Sequence, residues 1–232
     1  MVMGKQASAL TKAQELMKEG KYEEARPLLT ELNKAHPDDP LVIRLLGNTY
    51  AYTGFLGKAK KIWNEGWKKF PTNVDLLYNL GLAHYLQGAY AQAKNFWRRA
   101  LKYSPKDAEV LFNMGQVLRD EGHLRKAISF WKKAIKEDPT NVETMNNIGV
   151  AFSSLKMFGS ATTWFKKALE VDADYALAHF NLANAKIERG QFEVAKEHAE
   201  KAAQLDPATH LKQVEELLRK IEIKKAEKEE EL

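Results

Sequence analysis

Four asparagines stand at equal intervals: Asn79, Asn113, Asn147 and Asn181 lie 34 residues apart. A primary amide offers two N–H donors and a carbonyl acceptor, so one side chain can hold both the N–H and the C=O of a passing peptide backbone. The same interval sets further columns beside them. Tyr78, Phe112 and Phe180 form one, completed by Asn146; Asn48, Gln116 and Asn184 fall in another. Amides next to rings suit a groove that grips backbone while stacking side chains. The competing role is packing between neighbouring helices, and the columns by themselves are compatible with both.

A second set of chemistry-bearing residues is cationic. Arg98–Arg99, Lys132–Lys133 and Lys166–Lys167 repeat at that spacing, preceded by Lys68–Lys69. Such a stripe could attract phosphate, in nucleic acid or on an anionic membrane. It could equally be a solvated face with (i, i+4) partners such as Lys133–Glu137. No RNA-binding motif accompanies it, which favours the solvated face. Trp97, Trp131 and Phe165, interleaved with the cations, are read as core rather than as platforms for bases.

Catalysis needs a nucleophile, a base or a metal cluster with a plausible partner. The histidines are His36, His84, His123, His179, His198 and His210, and none forms an HExxH or a pair at i,i+4. There is no Gly-rich nucleotide motif; "GFLGK" (54–58) lacks phosphate-loop spacing and reads as a turn. Asp38–Asp39 falls in a turn, where capping explains it. The expectation is a protein that is not an enzyme, with no metal site and no cofactor.

The bulk composition agrees. The 232 residues include no cysteine, which removes disulfides, thiolate chemistry and cysteine-ligated metals. The net charge is +5 from 36 basic and 31 acidic groups, a weak pull toward acidic partners. No apolar run is long enough to span a membrane, and "MVMGKQASAL" has no apolar leader core. A cytoplasmic location is favoured, with a periplasmic one open if a leader has been removed.

Stepping the chain by 34 aligns Ala25, Ala59, Ala93, Ala127, Ala161 and Ala195. A second small-residue column runs Ala13, Gly47, Gly81, Gly115, Gly149 and Ala183. A third holds Gly20, Gly54, Gly88, Gly122 and Gly190, broken by Lys156, and a fourth Pro37, Pro71, Pro105, Pro139 and Pro207, broken by Ala173. Within a unit, Leu111, Met114 and Leu118, then Leu124, Ile128, Trp131 and Ile135, recur at helical spacing. Gly122 marks the turn between two helices, Pro139 stops the second, and Asp107 and Asn141 stand where the next helix needs an N-cap. Each unit is a helix–turn–helix pair that cannot bury its own apolar face, so neighbours must stack. After the last pair, Leu211, Val214, Leu217, Leu218 and Ile221 form one face of a single amphipathic helix over 210–223.

"LLGNTY…G…A…P", "NLGLAHY…GAYAQA…P" and "NMGQVL…G…A…P" in one frame resemble the tetratricopeptide repeat family over nearly the whole chain. The resemblance implies an all-α, right-handed α-solenoid of six helix–turn–helix repeats with a C-terminal capping helix. The units would be 6–39, 40–73, 74–107, 108–141, 142–175 and 176–209, the cap 210–223 and a polar tail 224–232. It places first helices on a concave face, and so the amide and aromatic columns with Arg44 in a groove for a peptide or partner segment. Co-chaperones of the family hold a terminal carboxylate with a clamp to which Arg44, Asn48 and Asn79 conform; Glu109 and Asn113 stand where lysine and arginine are needed, so a chaperone tail is disfavoured. The expected partner is another protein, ahead of nucleic acid, membrane or self-association.

Two irregularities carry expectations. The fifth unit lacks both turn glycine and stop proline; its turn should shift toward Gly159, its second helix extend toward Asp174, and the unit should be soft. Gly66 stands where other units have alanine, and is expected to make room for the indole of Trp67 or of a neighbour.

Overall fold

The computed structural model describes the backbone of residues 2–230 and the side chains of 7–226. Among the described residues there are thirteen helices and no strand. They are α1 (Val2–Lys18), α2 (Tyr22–Ala35), α3 (Pro40–Tyr52), α4 (Leu56–Lys69), α5 (Val74–Leu86), α6 (Tyr90–Tyr103), α7 (Ala108–Asp120), α8 (Leu124–Glu137), α9 (Val142–Ser154), α10 (Phe158–Val171), α11 (Ala176–Ile187), α12 (Phe192–Leu205) and α13 (Pro207–Glu230). The chain divides into two compact units, up to Pro105 and from Lys106 onward. In the first, α1–α2, α3–α4 and α5–α6 are antiparallel pairs, and α3 also touches α5. In the second the pairs are α7–α8, α9–α10 and α11–α12, α9 touches α11, and α13 closes against α11 and α12. The fold is an all-α stack of helix pairs.

Local chemistry sets the pairs. Asp39, Asn73, Asp107 and Asn141 each accept a hydrogen bond from a first-turn backbone N–H of α3, α5, α7 and α9, satisfying groups the helix cannot pair itself. Each first helix ends in a left-handed residue followed by a reverse bond, as where His123 N donates to Leu118 O at 2.7 Å. In the fifth unit the residue with positive φ is Lys156, at 57°. The turn therefore does not shift toward Gly159, which lies inside α10. Nor does α10 run on toward Asp174: it ends at Val171, where the Asp172 carboxylate accepts from Asp174 N at 3.0 Å and closes the turn that proline closes elsewhere.

Packing locks the four inner pairs through one aromatic each. Trp63, Trp97 and Trp131 are buried and donate their indole N–H to Arg44 O, Tyr78 O and Phe112 O at 3.3, 3.2 and 3.1 Å. The ring fills the space where Gly47, Gly81 or Gly115 would carry a side chain. In the fifth unit Phe165 fills the same space at Gly149, without a donor. Gly66 makes room for an aliphatic side chain and not for the expected indole: a Cβ there would meet Ile43 Cγ2 at 2.5 Å. Trp67 instead stands edge-on to Phe96 at 5.5 Å.

The helix expected over 210–223 and the tail expected over 224–232 are one helix, α13, as far as Glu230; residues 231–232 lie outside the described residues. Val214, Leu217 and Ile221 are buried as expected, but Leu211 is 52% exposed. His210 takes its place, buried and stacked on Phe180 with centroids 5.2 Å apart. One helical turn separates His210 from Val214, so the buried stripe begins one residue before Leu211.

Candidate functional site

In the unit ending at Pro105, Asn79 Nδ2 donates to Asn48 Oδ1 at 3.0 Å, joining α5 to α3. Asn48 keeps its own N–H groups and lines a cleft of about 370 Å³ with Gln14, Met17, Lys18, Tyr22, Leu45 and Tyr52. Tyr22 and Tyr52 are stacked there, ring centroids 4.5 Å apart and planes within 14°. Tyr52 is 66% exposed, so its outer face is open to a second ring or a peptide plane. Arg44 pairs through Nε with Asp75 Oδ2 at 3.2 Å, and its carbonyl accepts the Trp63 indole. Tyr78 is half-buried and anchors Trp97 through its carbonyl. Arg44 is thus held by a carboxylate of the chain itself.

In the unit beginning at Lys106 the amides divide. Asn113 is buried, its Nδ2 donating to Glu109 O in its own helix at 3.0 Å. Asn181 Nδ2 donates to Asn146 Oδ1 at 2.9 Å, tying α11 to α9, and Asn146 is only 2% exposed. Asn184 donates to Phe180 O at 3.1 Å. Phe112 and Phe180 are half-buried, their carbonyls occupied by Trp131 and Asn184. Gln116 Oε1 is buried without a protein partner, and half-buried Asn147 makes no hydrogen bond among the described residues. Asn147 is therefore the member of the column with its whole amide available.

The cationic stripe is largely paired with rings. Arg99 lies 4.5 Å from Trp67, Lys133 5.3 Å from Phe130 and Lys167 4.5 Å from Trp164. Lys132 stands over both Phe152 and Trp164, at 5.6 and 5.9 Å. No ion pair joins Lys133 to Glu137 among the described residues; cation–π contact replaces the expected partner. Among the described residues Arg98 and Lys166 have no such ring. This intramolecular pairing does not favour a nucleic-acid surface.

One pair of titratable groups escaped sequence reading. His179 Nδ1 lies 2.8 Å from His198 Nδ1, while His179 Nε2 is 3.0 Å from Ala173 O. The carbonyl requires a proton on His179 Nε2, so at neutral pH His198 Nδ1–H donates to His179 Nδ1. Burial, then His179, Lys186 and Lys166, lower His198 to about 4. The signal was present in the sequence: 19 residues also separate each indole from its carbonyl partner. Among the described residues no three His, Cys, Asp or Glu side chains form a metal cluster.

Residues 10–54, 74–107, 108–141, 142–175 and 176–209 match the family described as Tetratricopeptide repeat. The chain belongs to the tetratricopeptide repeat family. No curated protein matches it in sequence. Similar solved structures include PilF of Pseudomonas aeruginosa (TM-score 0.78, 14% identity, 88% of this chain and 93% of that one). YrrB, described as a TPR protein with an unusual peptide-binding site, matches at TM-score 0.65 and 18% identity over 78% of this chain and 93% of its own. MamA matches at TM-score 0.63 and 24% identity, over 71% and 96%. These likenesses are of fold. A tetratricopeptide repeat chain of this kind is a scaffold for interaction with other proteins.

Proposed function

We propose that this tetratricopeptide repeat protein is a non-enzymatic scaffold that holds an extended peptide segment of a partner protein on its first-helix faces. The observation that carries the reading is the cleft lined by Gln14, Lys18, Asn48 and the stacked Tyr22–Tyr52 pair. Amides grip backbone, the exposed tyrosine face takes a side chain, and Lys18 draws an acidic residue. The volume is that of a small recognition pocket. Asn147, without a hydrogen bond among the described residues, offers a separate backbone grip within the unit beginning at Lys106. YrrB, of similar fold, is described as binding peptide, which supports the same class of work.

Selection from a random peptide display library tests it. Selected peptides should bind with Kd on the order of micromolar, since a few net hydrogen bonds of about 1 kcal/mol each must offset chain ordering. Asn48→Ala and Tyr52→Ala should each weaken binding at least about fivefold; Tyr52→Ala should leave the melting temperature within about 2 °C, while Asn48→Ala, which also removes the acceptor of Asn79, should lower it by about 2–4 °C. Undiminished binding in both variants would place the interaction elsewhere.

A further inference from the structure

Between α8, α9 and α10, Lys132 Nζ is held over the rings of Phe152 and Trp164. One repeat later the same three places hold Lys166, Lys186 and His198. Where an ammonium stands over two rings in one repeat, the matching positions of the next hold three bases. Lys186 takes the position that Leu118 and Phe152 fill in the preceding pairs, so a cation has been set where an apolar side chain suffices.

Lys186 is only 8% exposed, and its Nζ donates to a neutral partner, Gln191 Oε1, at 2.8 Å. Its stem is covered while the ammonium reaches out to the exposed turn. Arg189, on that turn, donates to Thr162 Oγ1 of α10 at 3.2 Å. Among the described residues no Asp or Glu pairs with Lys166, Lys186 or Arg189; the neighbouring Glu188 is taken by Lys220 and Lys224 at 2.8 and 3.0 Å. Burial, then Lys166 and Arg189, hold Lys186 below the usual lysine range. Like charges so placed repel, and an anion seated among them removes that repulsion.

We propose that Lys166, Lys186, Arg189 and His198, from α10, α11, its following turn and α12, form a binding site for a dianionic phosphate group. Three cations at neutral pH exceed what a single carboxylate neutralises and suit a dianion. His198 Nδ1–H is committed to His179, so Nε2 is the ring atom left for the ligand; protonated there, it adds a fourth donor. The site is independent of the peptide cleft in the other unit.

The probe is inorganic phosphate on the whole chain, against chloride at equal ionic strength, near neutral pH. Phosphate at about 10 mM should raise the melting temperature by a few degrees more than chloride, by linkage to the folded state, and should move the His198 ring titration upward in NMR. Lys186→Leu restores the residue found at 118 and so should fold; with Lys166→Gln it should lower phosphate affinity about tenfold or more. Phenyl phosphate distinguishes the source: tighter binding than the free ion marks an esterified phosphate, weaker binding a free one. Equal response to chloride, or an undiminished phosphate response in Lys186→Leu, overturns the proposal.

Discussion

The indole of Trp131 occupies the volume that a side chain at Gly115 would need, and its N–H donates to Phe112 O at 3.1 Å. The glycine and the tryptophan are one device, repeated at Gly47–Trp63 and Gly81–Trp97. At the ends the small residue is alanine, and its partner is Leu29 after Ala13 and Ala199 after Ala183.

Gly115→Ala should therefore destabilise. Alanine gains about 1 kcal/mol in helix propensity, but overpacking an indole that cannot retreat costs about 1–3 kcal/mol and strains its hydrogen bond. A net loss of about 1–2 kcal/mol in denaturant unfolding is expected. Gly115→Ala with Trp131→Leu should lose less than the sum of the single changes, a coupling that a double-mutant cycle measures.

Gly66 depends on Ile43 in the same way. The β-branched Cγ2 of Ile43 fills the place of a Cβ, whereas the matching pairs elsewhere are Leu77 with Ala100 and Leu111 with Ala134. Gly66→Ala alone should lower the melting temperature. Ile43→Leu with Gly66→Ala should recover or exceed the wild-type value, because the methyl is moved and the helical glycine removed. A stabilising single substitution would show that the contact relaxes freely.

The fifth unit should exchange its amides faster than 108–141. Lys156 at φ 57° carries a strain of about 1 kcal/mol that glycine does not. Tyr175 caps α11 without a side-chain bond, where Asp and Asn serve the earlier first helices. Lys156→Gly should stabilise by up to about 0.5 kcal/mol, the strain relief being partly offset by unfolded-chain entropy. Hydrogen exchange over 156–175 no faster than in 108–141 would contradict this.

Acid should weaken the last pair. The fold favours neutral His198, lowered to about 4 by burial, His179, Lys186 and Lys166. The unfolded ring binds a proton near pH 6.5, so the stabilisation is present above that pH and is lost as pH falls toward 4. Allowing for the solvent screening of a half-exposed ring, the loss is about 1–2 kcal/mol. Melting temperatures at pH 7 and 4.5 should differ less in His198→Phe, which installs the ring found at Phe96 and Phe130.

The helix pairs were legible in the sequence because their causes are local and periodic. The caps Asp107 and Asn141, the left-handed turn glycines and the buried Trp97, Trp131 and Phe165 each follow from residue type at a fixed offset. The amide column was equally visible; its bonding was not. Asn79 and Asn181 are spent on Asn48 and Asn146, Asn113 donates to Glu109 O in its own helix, while Asn147 makes no hydrogen bond among the described residues. The Tyr22–Tyr52 stack, Ile43 against Gly66 and the His179–His198 contact were hidden for one reason. Period tells which residues share a face, but partners are chosen by which neighbour's volume and hydrogen-bonding atoms fill the remaining space. That choice is made only when the helices pack.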